Sequence, residues 1–333
     1  MYKVSVLVPV YGVEQYIERC ARSLFEQTYS DIEYLFVNDC TPDRSVEVLK
    51  QLMDDYPDRK SAVKIINHEK NRGLAASRNT ALDNATGEFV CHVDSDDWME
   101  LDAIESLVKI QMETASDIVS GNMYIHTISG IEEYHEPHYD DKEQLVLRQM
   151  PTNVDHQVFR RIIRRSLYED GHVRCVEGCN MAEDRYQMIQ LCWLADSIST
   201  IDGFVYHYDM NRQGSYTRQS SWEKRLDNMM QELKNWLGIR EFLSDKGDVY
   251  FNATTTYTVD CIQKTLKLAL KHRDKIHFLE LADIVRNNED CMEKMGWKTN
   301  ALGELLQSYP IMRVKNTTNR AFGYACYLLG WKR

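Results

Sequence analysis

Four short apolar runs punctuate the first hundred residues: Val4 to Val10, Ile32 to Val37, Val63 to Ile66 and Phe89 to Val93. After each comes a stretch with apolar positions at helical spacing: Val13 to Gln27, Ser45 to Asp54, Leu74 to Asn84 and Met99 to Met112. Runs this short and this continuously apolar suit strands buried on both faces, and their alternation with helices predicts a parallel sheet covered on both sides. Ligands of such α/β sheets bind beyond the carboxyl ends of the strands. Pro9-Val10-Tyr11, Asn38-Asp39, His68 and the Asp94 to Asp97 segment all fall at those ends, so four strand ends converge on one crevice.

From Ile118 to Tyr208 the pattern is mixed. Strand-like pieces (Ile118 to Ser120, Met123 to Ile128, Ser199 to Tyr206) alternate with expected helices at His156 to Arg165 and Ala182 to Leu194. Arg160, Arg161, Arg164 and Arg165 then make one basic helix face, either solvated or facing a phosphorylated or lipid-linked acceptor. A flexible turn at Asn211 to Ser215 leads into helices expected at Ser221 to Leu243, Val249 to Leu270, Ile276 to Arg286 and Ala301 to Leu306. The expected organisation is a catalytic α/β domain over 1–217, divided into 1–98 and 99–217, and a helical region over 218–333.

Composition narrows the function. A chain of 333 residues, 43% hydrophobic, builds one large α/β domain with a helical appendage. A formal net charge of -11 argues against a nucleic-acid partner and favours a small phosphorylated ligand. No secretory signal follows Met1, so a cytoplasmic location is expected, and the apolar runs are too short to span a bilayer. Cys91, Cys192 and Cys261 lie in apolar runs and read as reduced core thiols. The segment Leu305 to Arg333 has five basic residues, several aromatics and no Asp or Glu. It either packs on the domain or touches an anionic membrane surface.

The candidate chemistry centres on Asp94-Ser95-Asp96-Asp97, where a buried strand empties into three carboxylates within four residues. Their mutual repulsion is relieved by a hard divalent cation, Mg or Mn, that keeps positions open for substrate phosphates. The alternative is that these residues turn the chain and cap the next helix.

Further segments carry a resemblance. Ser5 to Tyr11, Tyr34 to Ser45 with Asn38-Asp39, Asn71-Arg72-Gly73 through Arg78-Asn79, and Ala85-Thr86-Gly87-Glu88 leading to Asp94 to Trp98 follow one another as in family 2 glycosyltransferases. Gly178 to Asp184 and Tyr206-His207-Tyr208 with Gly214 to Thr217 continue the resemblance, which covers about the first 220 residues. It implies the GT-A fold and inverting transfer from a nucleotide sugar, UDP-linked, to a saccharide or lipid-linked acceptor of a cell-surface polysaccharide, at the inner face of the membrane. It also implies roles. Pro9, Val10, Tyr11 and Asp39 contact the base, Asp39 through the base N–H. Asp94 contacts the ribose or supports the groups that do, Ser95 lies on the donor side, and Asp96 ligates the metal, with His207 as its additional ligand or a phosphate contact. Arg72 and Arg78 pair with phosphate or with the acidic cluster, Arg78 alternatively making a structural ion pair, and Arg212 belongs to a lid that folds over the leaving diphosphate. Asp184 is the general base, and Trp98 and Glu183 lie toward the acceptor. Asp97 either positions acceptor or metal, or caps the helix from Met99. Two rival readings are a sugar-phosphate nucleotidyltransferase and a non-catalytic nucleotide-sugar-binding subunit. The former calls for a Gly-rich first loop bearing Lys or Arg, which Val10-Tyr11-Gly12-Val13 is not.

Overall fold

Seven successive residues with no more than a trace of exposure, Val4–Val10, form strand β1. Helix α1 (Ile17–Phe25), strand β2 (Ile32–Asn38), helices α2 (Ser45–Met53) and α3 (Pro57–Lys60), strand β3 (Val63–Asn67), helix α4 (Leu74–Asp83) and strand β4 (Phe89–His92) follow. Next come β5 (Trp98–Met99), α5 (Ala103–Thr114), β6 (Ile118–Thr127), β7 (Gly130–Tyr134), α6 (Lys142–Arg148), β8 (Arg161–Arg164), α7 (Arg165–Asp170), α8 (Glu183–Leu194) and β9 (Ile198–Asp209). This computed structural model describes residues 2–139, 141–150, 155–211, 221–272 and 274–288. The chain divides into two compact units, Met1–Ser215 and Tyr216–Arg333.

The first unit is built on one mixed sheet in the order β3-β2-β1-β4-β8-β6-β9-β5, with β7 hairpinned onto β6. β3, β2, β1 and β4 are parallel, and β1 lies between β2 and β4. Strand order therefore reverses beside β1, where a crevice opens at the carboxyl ends. Leu24, Phe25, Tyr34, Phe36 and Phe89 fill the core on one side, with Phe25 edge-on to Tyr34 at 5.3 Å.

Two elements differ from the sequence expectation. The helix expected from Met99 begins at Ala103, because Trp98 and Met99 pair antiparallel with His207 and Tyr206 as β5. The helix expected at His156 to Arg165 is instead strand β8, followed by the short helix α7. Its arginines form no solvated face: Arg160 and Arg161 are buried against Glu136 (2.6 and 3.2 Å), while Arg164 binds Asp117 (2.9 Å). A strand in the middle of a sheet accepts arginines only where carboxylates meet them. The two strand pieces after Ile118 are one strand, irregular around Asn122 where it pairs with β9.

The second unit contains α9 (Trp222–Phe242), α10 (Asp248–His272) and α11 (Lys275–Asn287). α9 and α10 pack through stacked Trp236 and Tyr257 (5.0 Å), and α11 contributes Phe278, Leu281 and Val285 to the interior. Among the described residues no helix is long and apolar enough to cross a membrane. The expected helix at Ala301 to Leu306 and the basic aromatic segment from Leu305 lie outside the described residues.

Candidate active site

The crevice is organised by α4. Gly73 precedes it at φ 88, a left-handed conformation open to glycine. A Cβ there would meet the Asn180 side chain at 2.5 Å. That close approach lets Asn180 Oδ1 accept the Ala75 N–H at 3.0 Å. One turn on, the Asn79 amide donates to Cys175 O (2.9 Å) and accepts from Cys175 N–H (2.8 Å). Arg174 reaches Asp83 at 3.0 Å, and Arg72 reaches Glu177 at 2.9 Å. The loop from Arg174 to Ala182 is thus laced along α4, which delivers the first turn of α8 to the end of β4.

Arg78 makes the central connection. Nearly buried on α4, it donates through Nη2 to Asp94 Oδ1 at 2.8 Å, and its Nε lies 3.5 Å from Glu183 Oε1. Burial alone would depress its guanidinium, but Asp94 and Glu183 outweigh that and hold it firmly protonated. Burial pushes Glu183 up to about 8, and the neighbouring Asp184 pushes the same way against Arg78. Asp94 is also raised, first by burial and then by Asp96 and Asp184 against the pull of Arg78. Asp184 thus acts electrostatically on the donor-side cluster.

Asp97 is fully engaged below the crevice. Its Oδ2 accepts from Tyr206 O–H (2.9 Å) and its Oδ1 from Asp209 N–H (2.8 Å), while the Tyr206 hydroxyl oxygen (Oη) accepts from Asp94 N–H (3.1 Å). It caps no helix, and burial with Asp96 and Asp94 beside it drives its carboxyl far above the usual range. Ser95 is buried and Asp96 partly exposed. Arg19, which no sequence pattern singled out, clamps the loop from behind: its Nη2 donates to Asp96 O and to Asp209 Oδ2, both at 2.8 Å. Its guanidinium lies 3.7 Å over the Trp98 ring.

Trp98 and His207 stack at 4.6 Å as cross-strand partners. Side chains alternate along a strand, so this pair occupies the opposite face of the sheet from Tyr206. Both His207 nitrogens are engaged, Nδ1 with His126 at 3.0 Å and Nε2 with Glu100 at 2.8 Å. The expected ligand role of His207 is therefore corrected, because alternation turns its ring away from the Asp94 cluster. Trp98 likewise lines a different groove, with Arg19, Arg22, Glu100 and Leu101.

On the base side, Pro9 and Val10 end β1 and Tyr11 is half exposed. Asp39 is buried: Oδ1 accepts from His68 and from Arg72 N–H, and Oδ2 from Gly73 N–H, each at 2.7 Å. Asn38 makes the turn before Pro42, accepting Thr41 N–H at 2.9 Å. Cys40 (φ 55) and Ala182 (φ 59), the neighbours of Asp39 and Glu183, both hold left-handed backbone, a strained conformation common at functional sites. Arg212 and the loop Gly214 to Arg218 lie outside the described residues.

His156 was also missed in the sequence. Its Nε2 lies 3.9 Å from Asp184 Oδ2, and Arg185 N–H donates to Asp184 Oδ1 at 2.7 Å. No local pattern marks it, and only the fold joins it to α8.

Asp96 is partly exposed, while Asp94 is taken up by Arg78 and Asp97 by Tyr206 and the Asp209 N–H, so Asp96 is the residue of the cluster that would hold a divalent cation. No group of three or more metal-ligating side chains is assembled among the described residues.

A mixed sheet with a parallel half, whose acidic strand end faces a second carboxylate pair across its crevice, defines a GT-A architecture. The chain matches the family described as Glycosyl transferase family 2 over residues 5–172 and belongs to it. The Bacillus subtilis protein called uncharacterized glycosyltransferase EpsJ is 32% identical over 216 residues, covering 62% of this chain and 61% of that protein. Glycosyltransferase GlyA of Streptococcus pneumoniae is 31% identical over 246 residues, 69% of this chain and 34% of that one. This chain thus spans about three fifths and one third of those two relatives. The crystal structure of Staphylococcus aureus TarS 1-349 in complex with UDP-GlcNAc matches with TM-score 0.63 at 20% identity, covering 99% of this chain and 92% of that one, and supports the fold.

Proposed function

We propose that this chain is an inverting glycosyltransferase that moves a sugar, hexosyl or N-acetylhexosaminyl, from a UDP-sugar to a saccharide or lipid-linked saccharide acceptor of a cell-surface polysaccharide. The observation carrying the reading is the Arg78 bridge from Asp94 to Glu183, which joins donor-side and acceptor-side carboxyls in one crevice. The solved relative titled with UDP-GlcNAc supports the choice of donor.

In this reading Tyr11 covers the base, and Asp39 Oδ2, with one donor already from Gly73, keeps a lone pair for the base N–H. Asp184 accepts the proton of the acceptor hydroxyl. The acceptor oxygen bonds to the anomeric carbon while the bond from that carbon to the diphosphate oxygen breaks, its electron pair leaving on the diphosphate. Attack from the opposite face inverts the anomeric centre and needs no covalent intermediate. Mg or Mn bound at Asp96 would neutralise charge on the leaving diphosphate. Arg78 holds Asp94 and Glu183 in place, and the more exposed Arg72 exchanges Glu177 for phosphate. Action at the inner face of the membrane follows from a lipid-linked acceptor.

A thermal-shift screen of UDP, GDP and CMP sugars, with and without Mn, tests the reading on the wild-type chain and Asp96→Ala. A ligand at 100 times its Kd adds about 2.7 kcal/mol to stability. The expected result is a rise in Tm with a UDP-sugar and Mn that Asp96→Ala loses. A shift of equal size without metal, or in Asp96→Ala, removes the metal assignment, and silence with every sugar removes the transferase.

A further inference from the structure

We propose that His156 and Asp184 grip the acceptor hydroxyl between them: Asp184 Oδ2 accepts its proton while His156 Nε2–H donates to the same oxygen. This rests on the glycosyl-transfer reading and adds to it the residue that orients the nucleophile.

The spacing carries the argument. At 3.9 Å, Nε2 and Oδ2 are too far apart for a hydrogen bond with each other. An oxygen about 2.8 Å from each atom bridges that gap with an angle of roughly 90° between the two contacts. The other Asp184 oxygen is held by Arg185 N–H, which leaves Oδ2 as the side turned to His156.

The tautomer follows from the surroundings. A lone pair on Nε2 would face the Asp184 carboxylate and repel it, so the proton belongs on Nε2. Nδ1 is buried with no hydrogen-bond partner among the described residues and stays unprotonated. The charged groups acting on the ring are Asp184 and Arg185 from α8, and Arg160 and Arg161 at the head of β8. Glu183 adjoins Asp184 on the same turn. Burial pushes His156 down to about 4, with the three arginines acting in the same direction against Asp184. A neutral donor suits this place, because a cation beside Asp184 would weaken it as a base. His156 keeps its proton throughout, and Asp184 gains the one from the hydroxyl.

Nitrogen-15 imidazole spectra of the full chain test the pair without substrate. Expected are a neutral His156 from pH 5.5 to 8 with its proton on Nε2, and altered nitrogen shifts in Asp184→Asn. Turnover tests the role: release of nucleoside diphosphate, with water as acceptor, from the sugar nucleotide that gives the largest thermal shift. His156→Phe fills the space without a donor and should lower kcat roughly three- to tenfold, the worth of one neutral hydrogen bond, with donor KM unchanged. His156→Gln restores an N–H and should recover most of the loss. A protonated His156 at pH 6, a proton on Nδ1, an unchanged kcat in His156→Phe, or a loss confined to donor KM overturns the proposal. A wild-type chain that neither binds nor cleaves any sugar nucleotide sinks the transfer reading and this inference with it. A turning-over wild type with an unaffected His156→Phe sinks this inference alone.

Discussion

Replacing Glu183 by Gln should flatten the alkaline fall in stability of the first unit. Glu183 is buried, lies beside Asp184, and has only a 3.5 Å contact to an arginine already committed to Asp94, so its carboxyl is pushed from the ordinary 4.5 up to about 8. A carboxyl raised in the folded state binds its proton more tightly there than in the unfolded chain. Its contribution is therefore complete below about pH 4.5 and is lost as pH climbs through about 8. Integrated between pH 6.5 and 8.5, that shift removes about 2 kcal/mol from the wild type. His92 and His156, held neutral by burial, act in the opposite sense, but only below about pH 6.5 where an unfolded histidine gains its proton. Asp94, Asp97 and the buried thiols remain in both proteins and cancel in the difference. Glutamine is neutral in the folded and unfolded states alike, so Glu183→Gln should already exceed the wild type at pH 6.5, where only the unfolded glutamate is ionised, and should exceed it by about 2 kcal/mol more at pH 8.5. Urea unfolding at the two pH values, followed by circular dichroism, reads this directly. Equal slopes with pH in the two proteins would refute the argument that Glu183 is kept protonated by its surroundings.

Two further changes probe the crevice. Asp184→Asn should cut turnover by about 10²–10⁴-fold while leaving sugar-nucleotide binding in the thermal-shift assay unchanged, because it removes the proton acceptor and little volume. Gly73→Ala sets a methyl group at φ 88 against the Asn180 side chain and should cost about 1–3 kcal/mol by thermal unfolding, with loss of turnover as the 174–182 loop shifts off α4; a Tm unchanged from wild type would show that the loop is not held there.

The parallel half of the sheet was legible because strands covered on both faces must be almost wholly apolar, and Val4–Val10 and Phe89–His92 are, with Ser5 and His92 as the exceptions. β8 was not, because Arg-Ile-Ile-Arg has the outline of an amphipathic helix until its arginines find Glu136, 25 residues from Arg161, and Asp117, 47 from Arg164. Such pairings exist only in the folded chain. β5 failed for a related reason: two residues carry no periodicity, and their pairing partners in β9 are remote.

The three aspartates at the end of β4 show where local pattern stops being informative. Sequence places them together, yet each meets a different part of the fold: Asp94 faces Arg78 of α4, Asp97 faces Tyr206 and the backbone of β9, and Asp96 is pinned at its carbonyl by Arg19 of α1. Two of the carboxyls are thereby committed to holding the crevice's walls, and their raised pKa values record the cost of gathering like charges in a buried place. The same alternation that sends Asp97 down to Tyr206 sends Trp98 across the sheet to His207, which is why a histidine adjacent in motif is absent from the cluster in space. In the proposed transfer its place beside the chemistry is taken by His156, supplied by the connection into β8 and recognisable only from its distance to Asp184.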